Sequence, residues 1–302
     1  MEDYVNRKQE IIPSEVMGGI IAEEARKILM PLDEKEFPVE RLAYSLASSK
    51  RFSAGKEFEV TKADLKDKKI LVVGAGALGN FVALGLALQG AGYVDIMDYD
   101  TVESTNLNRQ ILFYDSVGQK KAESLVSKMT LINPAVLVRG LVAKLDEKSD
   151  YFVNNRPDLI MDCVDSFAVR AIINYFAVRN EIPLISGGTN PKSGQVVVYK
   201  PGESSCLDCK LGVEKALAEQ RKAASCRYAP DPSVIMTNQI IGGMMVGEAV
   251  KTLTNDYGEP VRRILKYDSK SPLRGGLVGS EEICYCKKPD VSEWLKQVDN
   301  KK

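Results

Sequence analysis

The stretch that most constrains this chain is residues 70–92, ILVVGAGALGNFVALGLALQGAG. A buried-strand run leads into Gly74, Gly76 and Gly79, spaced G-x-G-x-x-G, and an apolar helical run follows. Such glycines allow a tight turn and a close backbone approach to phosphates, at a helix N-terminus whose free N–H groups favour anions. By itself the pattern is weak, and a dinucleotide dehydrogenase commonly carries it. Its context has to decide.

The context alternates. YVDIMDYD reads as a second strand, GQKKAESLVSKMTLINP as a helix stopped at Asn133-Pro134, and AVLVRGLVAKL and PDLIMDCVD as strands. AVRAIINYFAVRNE is a helix, PLISGGT and GQVVVYKPG are strands, and TNQIIGGMMVGEAVKTLTN is an apolar helix. Buried strands alternating with helices predict an α/β fold with a doubly wound, mainly parallel sheet, Rossmann-like. Residues 201–233 read as irregular and charged. The expected division is a helical extension over 1–64, a nucleotide domain over 65–286 and an exposed tail, a short helix or disordered, over 287–302. In the extension, PSEVMGGIIAEEARKILM has the spacing of an amphipathic helix with Ser14 as its cap.

Composition narrows the chemistry. The 302 residues carry 41 acidic and 41 basic side chains, a formal net charge of zero. That balance offers neither a basic stripe for nucleic acid nor a polybasic membrane anchor. No apolar run reaches the roughly 18 residues of a membrane span, and no signal peptide is visible, so the expected location is cytoplasmic. There is no histidine, which excludes Ser-His and Cys-His nucleophile pairs and imidazole metal ligands. An acid, a lysine, a thiol or water must move protons.

Asp98, at the end of the second strand, stands where an acid binds ribose hydroxyls. Beyond it lie Asn106, Arg109, Gln110 and Lys121. An oxidoreductase has no need of two cations there, whereas a nucleoside triphosphate does, because its β and γ phosphates must be neutralised before an anion can attack the α phosphorus. The strand LIMDCVD ends in Asp165, at the sheet edge where a carboxylate can hold Mg²⁺.

Together GAGALG, DYDTVESTNLNRQ, GQKKAE, INP, DCVDS and PGESSCLDC resemble the ubiquitin-activating and ThiF/MoeB adenylyltransferase superfamily, over about residues 66–286. The resemblance implies that Asp98 binds the ribose, that Arg109 and Lys121 hold the phosphates of ATP, that Asp165 ligates Mg²⁺, and that Asn133 lies near the nucleotide pocket. Arg170 is a weaker candidate. Two departures stand out: Ser166 replaces the Asn that commonly follows the last acid, and the family's R-Y-x-R-Q segment is not visible, with Arg41 or Arg51 as substitutes.

Six cysteines are present. Cys206 and Cys209 form C-x-x-C, and Cys284 and Cys286 form C-x-C. Four thiolates suit a closed tetrahedral Zn²⁺ site, and the resemblance implies the same, although its second knuckle is normally longer. Cys163 lies in a strand and reads as a small buried hydrophobe. Cys226 sits in a polar loop between Lys222 and Arg227, whose charge favours thiolate. The resemblance implies that a cysteine there accepts the activated carboxyl as a thioester or enters sulfur transfer.

The expected activity is therefore ATP-dependent adenylation of the C-terminal glycine of a small ubiquitin-like or sulfur-carrier protein ending in Gly-Gly. A sulfurtransferase or conjugating enzyme would act next. The alternatives are adenylation of a peptide or other carboxylate without a cysteine step, and a non-catalytic subunit that only binds such a protein. Finally, GGIIAEEARKIL (18–29) and GGMMVGEAVKTL (242–253) agree at six of twelve positions, and each precedes a Pro-Val, at 38–39 and at 260–261. Since the superfamily works in pairs of adenylation domains, the N-terminal segment is expected to be the remnant of a second copy or a dimerisation segment, giving a homodimer or pseudo-dimer.

Overall fold

The computed structural model describes residues 16–23, 43–44, 52–53, 64–222, 233–254, 258–271 and 274–301. Its centre is an eight-stranded sheet. In chain order the strands are β1 (Lys69–Val73), β2 (Tyr93–Met97), β3 (Leu137–Leu141), β4 (Leu159–Asp162), β5 (Leu184–Thr189), β6 (Ser193–Tyr199), β7 (Ile264–Asp268) and β8 (Gly275–Val278). Across the sheet they run 3-2-1-4-5-6-7-8. Strands β1 to β5 pair in parallel, and β6, β7 and β8 extend the sheet antiparallel. The mainly parallel, doubly wound expectation holds. Strands β7 and β8 went unread, because ILKYD and GGLV are short, isolated runs and GGLV opens on two glycines.

Strand alternation builds the two core layers. Ile70 and Val72 of β1 face one side with Val94, Ile96, Leu159 and Met161, while Leu71 and Val73 face the other with Met97 and Ile160. On the first side pack α1 (Ala77–Gln89), α2 (Lys121–Ile132) and α6 (Ile235–Thr254). The second side holds α3 (Phe167–Arg179), α4 (Leu207–Leu211), α5 (Val213–Lys222) and α7 (Val291–Asp299). Helix α6 lies on the sheet with almost no side-chain clearance. A Cβ at Gly187 would stand 2.3 Å from Met245 Sδ, one at Gly194 2.5 Å from Ile241 Cγ1, and one at Gly242 2.6 Å from Phe81 Cβ on α1.

Two readings need correction. Residues 201–233 contain α4 and α5, which the charge of EKALAEQRK disguised as loop. The stretch after Lys287 is no exposed tail. Asp290 caps α7 by accepting from the N–H groups of Ser292 and Glu293, and Trp294 and Val298 are fully buried. Their i, i+4 spacing puts both on one face, and Trp294 stacks on Tyr175 with ring centroids 4.4 Å apart. Residues 16–23 are helical, as the apolar spacing predicts, while Ser14 lies outside the described residues. Among the described residues no helix is long and apolar enough to cross a membrane.

Candidate functional site

Register brings the predicted residues to one edge. Val73 of β1 lies opposite Met97 of β2 and also opposite Asp162 of β4, so three parallel strands end level. The loops that follow carry the glycine turn, Asp98 and Asp165. This is the switch point of the strand order, where ligands sit in open sheets of this kind.

The turn is shaped by its glycines in different ways. Gly74 has φ of 96°, which an L side chain avoids. A Cβ at Gly79 would lie 2.1 Å from the Gly74 carbonyl oxygen, so Gly79 is needed for the fold itself. A Cβ at Gly76 would meet nothing within 4 Å. Gly76 caps α1, and the open space before it is a cradle at a helix N-terminus, as a phosphate requires. Asp98 braces the turn: Oδ2 accepts from the Ala75 N–H at 2.7 Å and Oδ1 from the Asp100 N–H at 2.8 Å.

Asn80 was missed by the sequence reading. Fully buried, it donates to the carbonyls of Ala75 and Gly76 and accepts the Leu112 N–H at 2.9 Å. It thus ties the glycine turn to the loop bearing Arg109 and Gln110. The one polar residue in the first turns of an otherwise apolar helix was the available signal. Within that loop Asn106 accepts the Glu103 N–H and so closes the capping box of the short 3-10 helix Ser104–Asn106, whose N-cap is Glu103. Gln110 is buried, and its Oε1 has no partner among the described residues. Arg109 donates to Thr105 O and Asn108 Oδ1 and has no carboxylate partner among the described residues. That guanidinium fits an anionic ligand. Lys121 is buried, and its Nζ meets Asp100 Oδ2 at 2.9 Å.

Asp165 is exposed and accepts no hydrogen bond among the described residues. The charge of Asp100, then burial, then the charges of Asp98 and Asp165 raise the Tyr99 phenol, and Lys121 opposes them. Asp98, Asp100, Lys121 and Asp165 therefore share one electrostatic neighbourhood, and Asp165 has the free oxygens an Mg²⁺ ion needs.

Other residues go elsewhere. Asn133 donates to Ala87 O at 2.9 Å. Ala87 belongs to the last turn of α1, so Asn133 braces the end of that helix remote from the glycine turn, and the expectation of a place near the pocket is corrected. Arg170 is buried under the strand ends, donating to Ser186 Oγ and to the carbonyls of Val164 and Gly187, with Asp162 accepting from Ser186 Oγ at 2.6 Å. Ser166 caps α3 and accepts the Val169 N–H at 3.5 Å. Cys163 is buried, and burial raises its thiol well above the ordinary value. Cys226 lies outside the described residues, as do Arg41 and Arg51.

The second site is assembled on the other side of the sheet. The four Sγ atoms of Cys206, Cys209, Cys284 and Cys286 all lie within 4.8 Å of one another. Tetrahedral Zn–S bonds of about 2.3 Å would set S···S at roughly 3.8 Å, so the cluster fits one zinc ion in size and donor chemistry, and the C-x-C spacing is no obstacle. The Cys206 N–H donates to Cys284 Sγ at 3.1 Å, and Ser205 Oγ donates to Glu282 O at 2.6 Å. Burial pushes the Cys206 thiol up to about 11. At Cys284 burial acts the same way, but N–H donors from Cys206 and Cys286 bring the thiol below its usual range. Next to the cluster Glu214, nearly fully buried, accepts from Lys288 Nζ, from Trp294 Nε1 at 2.8 Å and from Lys301 Nζ at 2.7 Å, and Arg221 meets Asp299 at 2.7 Å.

Comparison with known proteins agrees with this geometry. The ThiF family model matches residues 49–279. The molybdopterin-synthase adenylyltransferase of Escherichia coli is 36% identical over 211 residues, covering 68% of this chain and 80% of that one. The adenylyltransferase and sulfurtransferase UBA4 of Yarrowia lipolytica is 34% identical over 199 residues, 65% of this chain, which spans about half of that longer relative (48%). Among solved structures, E. coli MccB with ATP superposes with a TM-score of 0.60 at 23% identity, over 74% of this chain and 67% of that one, a likeness of fold. Family match, fold and relatives named as adenylyltransferases agree: the chain belongs to the ThiF family.

Proposed function

We propose that this protein is an adenylyltransferase that uses ATP to activate the C-terminal glycine carboxylate of a small ubiquitin-like or sulfur-carrier protein ending in Gly-Gly. The observation that supports this reading is the level ending of β1, β2 and β4, whose following loops carry the open glycine cradle, Asp98 and a free Asp165, with Lys121 paired to Asp100 and Arg109 on the loop that Asn80 ties to the turn. The names of the bacterial and fungal relatives support the substrate class.

In this reading the phosphates of ATP lie before Gly76, and Asp98 meets the ribose while it continues to brace the turn. Arg109 neutralises phosphate charge, and Lys121, held by Asp100, shares in it. A carboxylate oxygen of the carrier attacks the α phosphorus, the bond to the bridging oxygen breaks, and pyrophosphate leaves an acyl-adenylate. Arg109 and Lys121 act where charge builds up on the departing pyrophosphate. Mg²⁺ held by Asp165 would supply further charge neutralisation. Zn²⁺ held by the four cysteines would supply folding energy. The Cys226 thiolate then attacks the acyl carbon and AMP leaves, forming a thioester open to a sulfur donor or a conjugating enzyme. With no histidine in the chain, activation of that thiol rests on Lys222, Arg227 and the reactivity of the adenylate.

ATP–pyrophosphate exchange tests this. Each Gly-Gly-terminated protein of the same genome is offered in turn. One of them should support exchange, and Asp165→Ala should reduce it by about 10²–10³. Cys226→Ala should keep exchange while losing any thiol-labile adduct. If Mg-ATP protects the protein from heat but no such carrier supports exchange, the carrier-protein reading fails. No protection by Mg-ATP at all would leave a binding subunit.

A further inference from the structure

Asp165 is aimed by its backbone alone. Its carboxylate is exposed and accepts no hydrogen bond among the described residues, so its place depends on the peptide that precedes it. Both backbone groups of Val164 are held. Its N–H donates to Asp162 Oδ1 at 3.1 Å, and its carbonyl accepts from Arg170 Nη2 at 2.5 Å. The same segment is pressed against the glycine turn: a Cβ at Gly74 would lie 3.0 Å from both the carbonyl carbon and the carbonyl oxygen of Cys163, and 3.3 Å from Val164 Cγ1.

The groups that hold Val164 come together for local reasons. Asp162 ends β4 and is the register partner of Ser186 on β5, so the two side chains share one face of the sheet. Arg170 lies one turn into α3, where a long side chain leans back towards the helix N-terminus, and here that means towards the strand ends. Ser186 Oγ accepts from Arg170 Nη1 at 2.9 Å and donates to Asp162 Oδ2 at 2.6 Å, and Arg170 Nη2 also donates to the Gly187 carbonyl at 2.6 Å. One guanidinium thus ties the loops after β4 and β5 together.

Core packing does not call for such a trio. All three side chains are buried, and a buried ion pair is weak support for stability, because apolar residues of similar volume often hold a core as well or better. This trio is also incompletely paired, since Arg170 Nε has no partner among the described residues. What apolar residues cannot do is fix two main-chain carbonyls at the mouth of the sheet.

We infer that Asp162, Ser186 and Arg170 are positioning residues, which fix the 164–165 peptide against the glycine turn so that the Asp165 carboxylate meets the Mg²⁺ of bound Mg-ATP. The inference rests on the role proposed above for Asp165.

The test is isothermal titration of the full chain with ATP, once with Mg²⁺ and once in EDTA, and the ratio of the two Kd values is the preference for Mg-ATP. Asp165→Ala should remove most of that preference. Arg170→Lys and Ser186→Ala should lower it by about tenfold or more, with the affinity for metal-free ATP unchanged. Adding Arg170→Lys to Asp165→Ala should bring no further loss, because both act through one carboxylate. A general loosening of the fold would instead weaken both affinities alike and add to Asp165→Ala, and that result overturns the inference. So does an unaltered preference in folded Arg170→Lys and Ser186→Ala beside a lost one in Asp165→Ala, which leaves the proposed function standing. If Asp165→Ala keeps the preference, the Mg²⁺ role of Asp165 fails and the inference fails with it. Should Arg170→Lys not fold, Ser186→Ala decides alone. Should neither fold, the trio is ordinary core and the inference falls.

Discussion

The nucleotide edge and the cysteine cluster are held together in opposite ways. At the edge, β1, β2 and β4 are neighbours in one parallel sheet, and the turn is braced by backbone groups bonded to Asp98 and Asn80. Its shape is set by main chain and by the absence of a Cβ at Gly79. The cluster joins residues from distant parts of the chain, Cys206 to Cys284 and Glu214 to Lys288 and Trp294. Closing that long loop costs entropy, which the charge pairs offset and a bound zinc ion would offset further. One region is pre-formed for a ligand that comes and goes, while the other is completed by a ligand that would stay.

Four substitutions break or sharpen that contrast. Gly79→Ala drives a methyl group into the Gly74 carbonyl and should cost about 4 kcal/mol or more, seen as loss of soluble folded protein. A normally melting Gly79→Ala would mean the turn is less rigid than its geometry. Cys206→Ser should abolish bound zinc and cost several kcal/mol, with a strong chelator lowering the melting point of the parent in the same way. Zinc content by atomic absorption checks it, and an unaltered melting point on full chelation would make the cluster dispensable.

Glu214→Gln removes the negative charge that faces Lys288 and Lys301 and turns one of its two acceptor oxygens into an amide donor, and should cost about 3 kcal/mol. The same clasp has a pH signature. Burial pushes the Glu214 carboxyl up, but hydrogen bonds from Lys288, Lys301 and Trp294 outweigh it and hold it below its ordinary 4.5. A depressed carboxylate stabilises the folded chain above pH 4.5 and loses that contribution as pH falls through the lower folded value. Trp294 is the chain's single tryptophan, so its emission should shift to the red in acid, and at higher pH in Glu214→Gln. The smallest effect on stability is expected for Gly76→Ala, within about 0.5 kcal/mol, since its methyl group meets no protein atom. It should nevertheless abolish protection by Mg-ATP. Retained protection would move the phosphates away from the cradle.

The contrast also explains what was legible in the sequence. The edge is built from contiguous signals: an apolar strand, three glycines at fixed spacing, and acids at strand ends. Those patterns pointed to Gly74, Gly76, Gly79, Asp98 and Asp165, which the fold carries on the loops after strands that end level, and to Lys121, paired with Asp100. The cysteine spacing paired the four thiols, yet the supporting shell was invisible. Helices α5 and α7 bury only a few apolar residues each, and Glu214, Lys288 and Lys301 look like solvent-facing charges until the fold brings them together. Asn133 was misplaced because INP marks where α2 stops, and only the packing of α1 against α2 shows which end of α1 it reaches.

The glycines beneath α6 have a mechanical consequence. With Gly187, Gly194 and Gly242 leaving no slack, the helix works as a shim between the seat of residues 16–23 and α1, meeting Phe81 one turn beyond the phosphate cradle. A part with no play transmits displacement instead of absorbing it. A shift of the glycine turn should therefore be felt at the far side of α6, where residues 16–23 pack. Hydrogen exchange of the α6 amides with and without Mg-ATP would measure how much of a displacement at the cradle the helix passes on.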